Sequence, residues 1–91
     1  MYMRSLWIRF TGRVQGVNFR RDVSGFCRML DISGWIRNNL DGSVEGEFHG
    51  DDAGITRLLN ELDGNFENAF ITGREIREIA WKDEKGFRIE H

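Results

Sequence analysis

The chain has 91 residues, of which 40% are hydrophobic and 31% are charged. This size and composition predict one globular domain over residues 1–91 and exclude a disordered protein. No segment approaches the roughly 18 apolar residues of a membrane span, and residues 1–5 contain no apolar signal-peptide core. We therefore expect a cytoplasmic protein that does not bind membranes.

The cysteine and histidine content argues against a metal centre. The single cysteine, Cys27, excludes an internal disulfide and a thiolate site. The two histidines, His49 and His91, are too few for a multi-histidine site. A histidine–carboxylate site is possible in principle, but no such set has metal-site spacing along the chain. From the residues we expect no metal.

The net charge of −2 hides an uneven distribution. Residues 1–38 contain seven arginines and two aspartates, a net charge of +5, whereas residues 39–91 contain six basic and thirteen acidic side chains, a net charge of −7. Eleven of the thirteen basic residues are arginine, which suits bidentate binding of oxyanions. The pattern fits either an uneven surface or an anion site within the first forty residues.

The first third of the chain predicts a strand, a loop and a helix. Apolar and polar residues alternate over residues 6–11 and the strand ends at Gly12. After the glycine-containing residues 12–20, apolar side chains recur at the spacing of one helix face, at Val23, Phe26, Cys27 and Leu30. Cys27 is therefore predicted to lie in the core rather than to act as a reactive thiol.

The middle of the chain predicts a hairpin and a second helix. A strand opens at Gly34 and runs to Asn38, an Asp-Gly turn follows at residues 41–42, and alternation resumes over residues 44–48. A second helical stripe consists of Ile55, Leu58, Leu59 and Leu62. It ends near residues 63–64, and residues 63–69 are predicted to form a loop.

The last third is less regular. Residues 70–72 and 74–81 look extended, but Ile76 and Ile79 have opposite parity, which a bulge or a crossing from edge to core would explain. A final strand is predicted over residues 87–90. The order βαββαβ with a short C-terminal strand predicts a ferredoxin-like α+β sandwich, with two helices on one face of a mostly antiparallel sheet.

Few residues offer catalytic chemistry. No serine has a nucleophile-elbow pattern and no histidine has an orienting partner, so a nucleophilic triad is excluded. Glu45 and Glu47 share one face of the third strand, which predicts a solvated face rather than an acid–base pair.

Residues 12–20 differ from the rest of the chain. A glycine-containing loop before a helix presents backbone N–H groups and the positive end of the helix dipole to a phosphate-like anion. Its glycine spacing matches neither a P-loop nor a dinucleotide fingerprint. Arg20, in the first helical turn, could bind that anion or be a surface arginine. Asn38, at a strand end, could lie near the loop or only form a turn.

Residues 12–20 read Gly-Arg-Val-Gln-Gly-Val-Asn-Phe-Arg and resemble the first signature of the acylphosphatase family. Residues 34–38, which read Gly-Trp-Ile-Arg-Asn, and residues 41–45, Asp-Gly-Ser-Val-Glu, resemble its second signature. The resemblance covers nearly the whole chain. Many relatives carry prolines where this chain has residues 63–69.

The resemblance implies a role for each matching residue. The loop amides that would cradle a phosphate group belong to Gln15, Gly16, Val17, Asn18, Phe19 and Arg20. The Arg20 guanidinium would clamp the phosphate, and the Asn38 side chain would hold the water that attacks phosphorus. The substrate would be a small acyl phosphate, the products a carboxylate and inorganic phosphate, which can also inhibit, and no metal or cofactor would be needed.

Two other functions fit the same fold. An RNA-binding module needs stacking aromatics on its central strand, but the glutamates within residues 44–48 would repel a nucleic acid, so we expect no nucleic-acid partner. The second possible function is that of a non-catalytic anion-binding module, or of a free-standing relative of the acylphosphatase-like domain of hydrogenase-maturation proteins. The absence of linkers favours a stand-alone enzyme, and a monomer is the default expectation.

Overall fold

A computed structural model of the chain describes residues 2–64, 66 and 69–91. The elements along the chain are β1 (Met3–Arg13), α1 (Phe19–Met29), β2 (Ser33–Asn38), β3 (Val44–Asp51), α2 (Asp52–Leu62), β4 (Phe70–Ile79) and β5 (Phe87–Glu90). The predicted βαββαβ order with a short final strand is confirmed. Of the loop predicted over residues 63–69, residues 65, 67 and 68 lie outside the described residues.

The five strands form one sheet in the order β4-β1-β3-β2-β5. Only β2 and β5 are parallel; all other neighbours are antiparallel. The sheet is therefore mostly antiparallel and has two helices packed on it, as the sequence predicts. Neither helix in the described part of the chain is long and apolar enough to span a bilayer.

The core lies between the sheet and the helices. Alternate residues of β1 are buried, as are the apolar faces of α1 and α2; the central members are Leu6, Ile8, Phe10, Val23, Cys27, Ile55 and Leu58. Burial raises the pKa of the Cys27 thiol to about 12, despite the opposing effect of Arg28. Cys27 is therefore a core side chain, as predicted, and not a nucleophile.

The pairing of β4 with β1 explains why Ile76 and Ile79 have opposite parity along the strand. The irregularity in its pairing with β1 lies between Thr11 and Gly12, where the register shifts from Gly73 to Ile71, and not between the two isoleucines. Ile76 pairs with Ile8 on the helix-covered side, whereas Ile79 pairs with Ser5 on the other side. Because β4 is an edge strand, both isoleucines remain partly exposed.

The face of the sheet away from the helices is polar but not fully solvated. The side chain of Glu45 is only 17% exposed. It accepts hydrogen bonds from Trp7 Nε1 at 2.7 Å and from Arg37 Nη2 at 3.0 Å. Burial raises the pKa of Glu45, but the hydrogen bonds from these two donors lower it by a larger amount. The net shift of the pKa is therefore downward. Glu45 is therefore held in a structural network, so the prediction of a simply solvated face was incomplete.

Candidate active site

The loop between β1 and α1 has the backbone geometry of an anion cradle. Gly16 and Asn18 have φ angles of 73° and 62°, on either side of Val17, whose φ is negative. Such alternation turns successive N–H groups towards one side, the arrangement called a nest. Asn18 is the N-cap of α1, yet its side chain makes no capping hydrogen bond. The amides of the first helical turn can therefore be satisfied by a ligand.

This loop borders a surface hollow of about 290 Å³. Its lining includes Val14, Gln15, Gly16, Asn18, Phe19, Arg20, Arg21, Ile89 and His91. Five of the six predicted cradle residues thus surround one space, together with two guanidinium groups. Val17 is the exception, because its side chain packs against the core instead. The combination of amides and arginines suits a phosphate-like anion.

Arg20 extends from the first turn of α1 and is half-buried. Its Nη1 donates to the backbone oxygen of Glu90 in β5 at 3.4 Å. Among the residues that the structure describes, no carboxylate forms an ion pair with it. The neighbouring Phe19 packs edge-on against Phe10, with ring centroids 5.2 Å apart, which fixes the start of the helix in the core. Arg20 is therefore a positioned positive charge without a protein counter-ion in the described part of the chain.

Asn38 lies outside the lining of the hollow but is linked to the loop. It ends β2, pairs with Val44, and has an exposed side chain. The link is Gln15, whose Nε2 donates to the backbone oxygens of Asn39 and Ser43, both at 2.8 Å. The structure therefore ties the cradle loop to the residue next to Asn38. The sequence did not predict this role of the Gln15 side chain, because its partners lie in the turn between β2 and β3, far from Gln15 along the chain.

The turn after Asn38 is held by a second set of hydrogen bonds. Asp41 Oδ1 accepts from the Ser43 hydroxyl at 2.6 Å and from the Ser43 amide at 2.9 Å. Arg9 Nη2 donates to Asp41 Oδ2 at 2.7 Å. The Ser43 hydroxyl and amide, with Arg9, hold the pKa of the Asp41 carboxyl well below its usual range.

This shift predicts how pH acts on the turn. Because the pKa of Asp41 is lowered by folding, its contribution to stability is present above its unfolded pKa of about 4 and is lost as pH falls through the folded value. We expect Asp41→Asn to be less stable than wild type at pH 7, with the difference shrinking as pH falls below about 4. Urea unfolding at a series of pH values measures this. A difference that is constant across the series would contradict the assignment.

Gln15→Met tests the link between the loop and the turn. Methionine keeps the length of the side chain but removes both donated hydrogen bonds, each worth about 1 kcal/mol. We expect the free energy of unfolding, measured by urea titration, to fall by up to about 2 kcal/mol, because both hydrogen bonds between the loop and the turn are lost. Affinity for inorganic phosphate, measured by calorimetry, should change little. An unchanged free energy of unfolding would show that these two hydrogen bonds do not hold the loop to the turn.

Comparison with known proteins identifies the family. The family model described as Acylphosphatase matches residues 6–89. The chain is 34% identical over 85 residues to the acylphosphatase of Rhodospirillum rubrum, with 93% of each chain covered. The structure of an acylphosphatase from Coxiella burnetii superposes with a TM-score of 0.90 at 28% identity, covering 98% of this chain and 94% of that one. The α+β sandwich with its phosphate-suited loop is thus shared with a known class of enzymes, the acylphosphatases. The chain belongs to the acylphosphatase family.

The same fold also occurs inside a much longer protein. Full-length HypF, in a phosphate- and nucleotide-bound form, matches with a TM-score of 0.90 and 28% identity. The match covers 98% of this chain but only 12% of HypF. A domain of this shape is therefore found both as a small protein and as part of a larger one.

Proposed function

We propose that this protein hydrolyses acyl phosphates at the loop between β1 and α1, and that Arg20 and Asn38 are its catalytic residues. Family membership defines the reaction, which yields a carboxylate and inorganic phosphate. The observation that carries the site assignment is that the amide loop and Arg20 border one hollow at the N-terminus of α1. In this proposal the backbone amides of residues 15–20 and the Arg20 guanidinium bind the phosphate.

Binding would rest on charge-assisted hydrogen bonds. Each hydrogen bond to a charged group contributes roughly 1.5–3 kcal/mol, and the dipole of α1 adds a favourable field for an anion. The Gln15 side chain is occupied by Asn39 and Ser43, so it contributes to the cradle through its backbone rather than its amide group. Inorganic phosphate carries the same recognised group as the substrate and should compete with it.

The chemistry demands little from the protein. The leaving carboxylate has a conjugate acid with a pKa of about 4, so no general acid is required. Phosphoryl transfer needs charge stabilisation and in-line placement of the nucleophile. Arg20 and the amides supply the first, and the Asn38 side chain, by holding a water molecule, supplies the second.

In the proposed step the water oxygen forms a bond to phosphorus while the bond from phosphorus to the acyl oxygen breaks. The electron pair of the broken bond leaves with the carboxylate, and the water proton passes to a phosphate oxygen. The step uses no metal and no cofactor. We further propose that the protein works as a cytoplasmic monomer on a small-molecule substrate, without a nucleic-acid partner.

The test compares two phosphate compounds with the same aromatic group. Phosphate release from benzoyl phosphate, measured with EDTA present, should be catalysed, whereas phenyl phosphate should react far more slowly because phenoxide is a much poorer leaving group. If the protein binds inorganic phosphate in calorimetry but does not hydrolyse benzoyl phosphate, the proposed hydrolase activity is contradicted. That result would favour the non-catalytic anion-binding module.

A further inference from the structure

A second group of polar side chains lies at the opposite end of the sheet from the cradle. Glu47 and His49 are two residues apart on β3 and pair with Trp7 and Ser5 of β1. Both side chains therefore lie on the face of the sheet away from the helices. Glu84 reaches them from the segment between β4 and β5. One ligand atom from each of the three residues lies within 4.8 Å of the other two. The sequence predicts no metal site because Glu84 is far from the other two along the chain.

His49 is the unusual member of this cluster. The residue is only 1% exposed, and its Nε2 has no hydrogen-bond partner among the described residues. This nitrogen lies 3.5 Å from Glu47 Oε1 and 3.6 Å from Glu84 Oε2. Buried polar atoms almost always have a partner. A buried nitrogen that faces two carboxylates without bonding either one suggests that a further group belongs between them.

The spacing of these atoms fits a tetrahedral metal ion. Zinc binds histidine nitrogen at about 2.0–2.1 Å and carboxylate oxygen at about 2.0–2.2 Å, which places neighbouring ligand atoms of a tetrahedron about 3.3–3.6 Å apart. Both distances from Nε2 to the carboxylate oxygens fall in this range. The other ring nitrogen, Nδ1, is 2.7 Å from the Ser5 hydroxyl oxygen, and an outer partner of this kind commonly orients a metal-bound histidine.

We propose that Glu47, His49 and Glu84 form a binding site for one divalent zinc-type cation, with water as the fourth ligand. The ion would join β3 to the irregular segment between β4 and β5. It would thereby hold β5, whose Glu90 backbone oxygen contacts Arg20. The site lies apart from the cradle and does not depend on acyl phosphate hydrolysis.

Among the described residues, two cations already contact the cluster. Lys82 Nζ lies 2.8 Å from Glu47 Oε1, the oxygen that faces His49. Arg88 Nη1 lies 3.4 Å from Glu84 Oε1, whereas Glu84 faces His49 through Oε2. Only the lysine therefore competes with a metal ion for a ligand atom. Its side chain is 49% exposed, so it can move into solvent when an ion binds.

The experiment is a calorimetric titration of the metal-stripped full chain with zinc chloride. We expect one zinc ion per chain, at least tenfold weaker binding by Glu84→Gln, and tighter binding by Lys82→Met, because the competing ammonium is removed. His91→Ala removes the other histidine and serves as the matched control, with unchanged binding. Binding of cobalt should give the visible absorption of a four-coordinate ion in wild type and lose it in Glu84→Gln.

Three results would overturn the proposal. One is the absence of zinc binding by both wild type and Lys82→Met, when circular dichroism shows that both are folded. The second is equal zinc binding by wild type and Glu84→Gln, and the third is loss of binding in His91→Ala; either of these would place the ion elsewhere. Because benzoyl phosphate turnover is measured with EDTA, failure of the zinc site leaves the proposed hydrolase activity unaffected.

Discussion

Arg20→Ala is expected to lower kcat/KM for benzoyl phosphate by about 10³-fold or more, the lower end of what arginines supply in phosphoryl transfer. The same change should weaken binding of inorganic phosphate by about 10²-fold, since losing hydrogen bonds worth 1.5–3 kcal/mol each costs roughly one power of ten per 1.4 kcal/mol. Both effects have one cause. In the proposed site the guanidinium contacts the phosphate before and during the reaction, so ground-state and transition-state binding fall together.

Steady-state kinetics and phosphate calorimetry on the same preparations measure the two effects. Arg57→Ala, which removes an exposed arginine from α2, is the matched control and should retain activity. Arg20→Lys keeps the charge but lacks the planar fork, so we expect it to recover only part of the loss. Near-normal phosphate affinity in a folded Arg20→Ala protein would contradict the clamp.

Asn38→Ala should separate catalysis from binding. We expect kcat to fall by about 10²-fold or more, because the attacking water loses the group that positions it. Affinity for inorganic phosphate should change by less than about twofold, because the cradle and Arg20 remain intact. The exposed position of Asn38 at the end of β2 makes a large loss of stability unexpected.

Single-turnover kinetics with benzoyl phosphate tests this prediction most cleanly, since it isolates the chemical step from product release. Asn60→Ala, which removes another exposed asparagine from α2, is the control and should behave as wild type. A folded Asn38→Ala protein with near-normal kcat would contradict the water-positioning role. Loss of phosphate affinity with unchanged kcat would instead make Asn38 a binding residue.

Local patterns were sufficient to predict most of the fold. The alternation in β1 and the helical stripe around Cys27 are caused by burial on one face, and the structure buries those faces. Strand β4 was harder because Ile76 and Ile79 lie on opposite sides of an edge strand, where one-sided burial is weak. The bulge opposite Thr11 and Gly12 depends on pairing with β1, which no local pattern in β4 contains.

In the candidate site, too, the parts that are contiguous in sequence could be predicted, whereas the contacts between distant segments could not. The cradle loop and Arg20 are contiguous in sequence, so the helix start was sufficient to predict that Arg20 lies beside the loop, whereas the roles of Arg20 and Asn38 rest on the resemblance to the acylphosphatase family and stay predictions. The contacts of Gln15 with Asn39 and Ser43 join two separate loops. The approach of Glu84 to His49 likewise depends on how the segment before β5 crosses the sheet. Such contacts between distant segments come from topology and register, which short-range patterns do not specify.

The most direct test of the proposed mechanism is hydrolysis of benzoyl phosphate in ¹⁸O-labelled water, with EDTA present and both products analysed by mass spectrometry. If water attacks phosphorus in the cradle, the enzyme-catalysed reaction places the label in inorganic phosphate and leaves benzoate unlabelled. Label in benzoate would show that water attacks the carbonyl carbon, and would contradict a site built around the phosphate group.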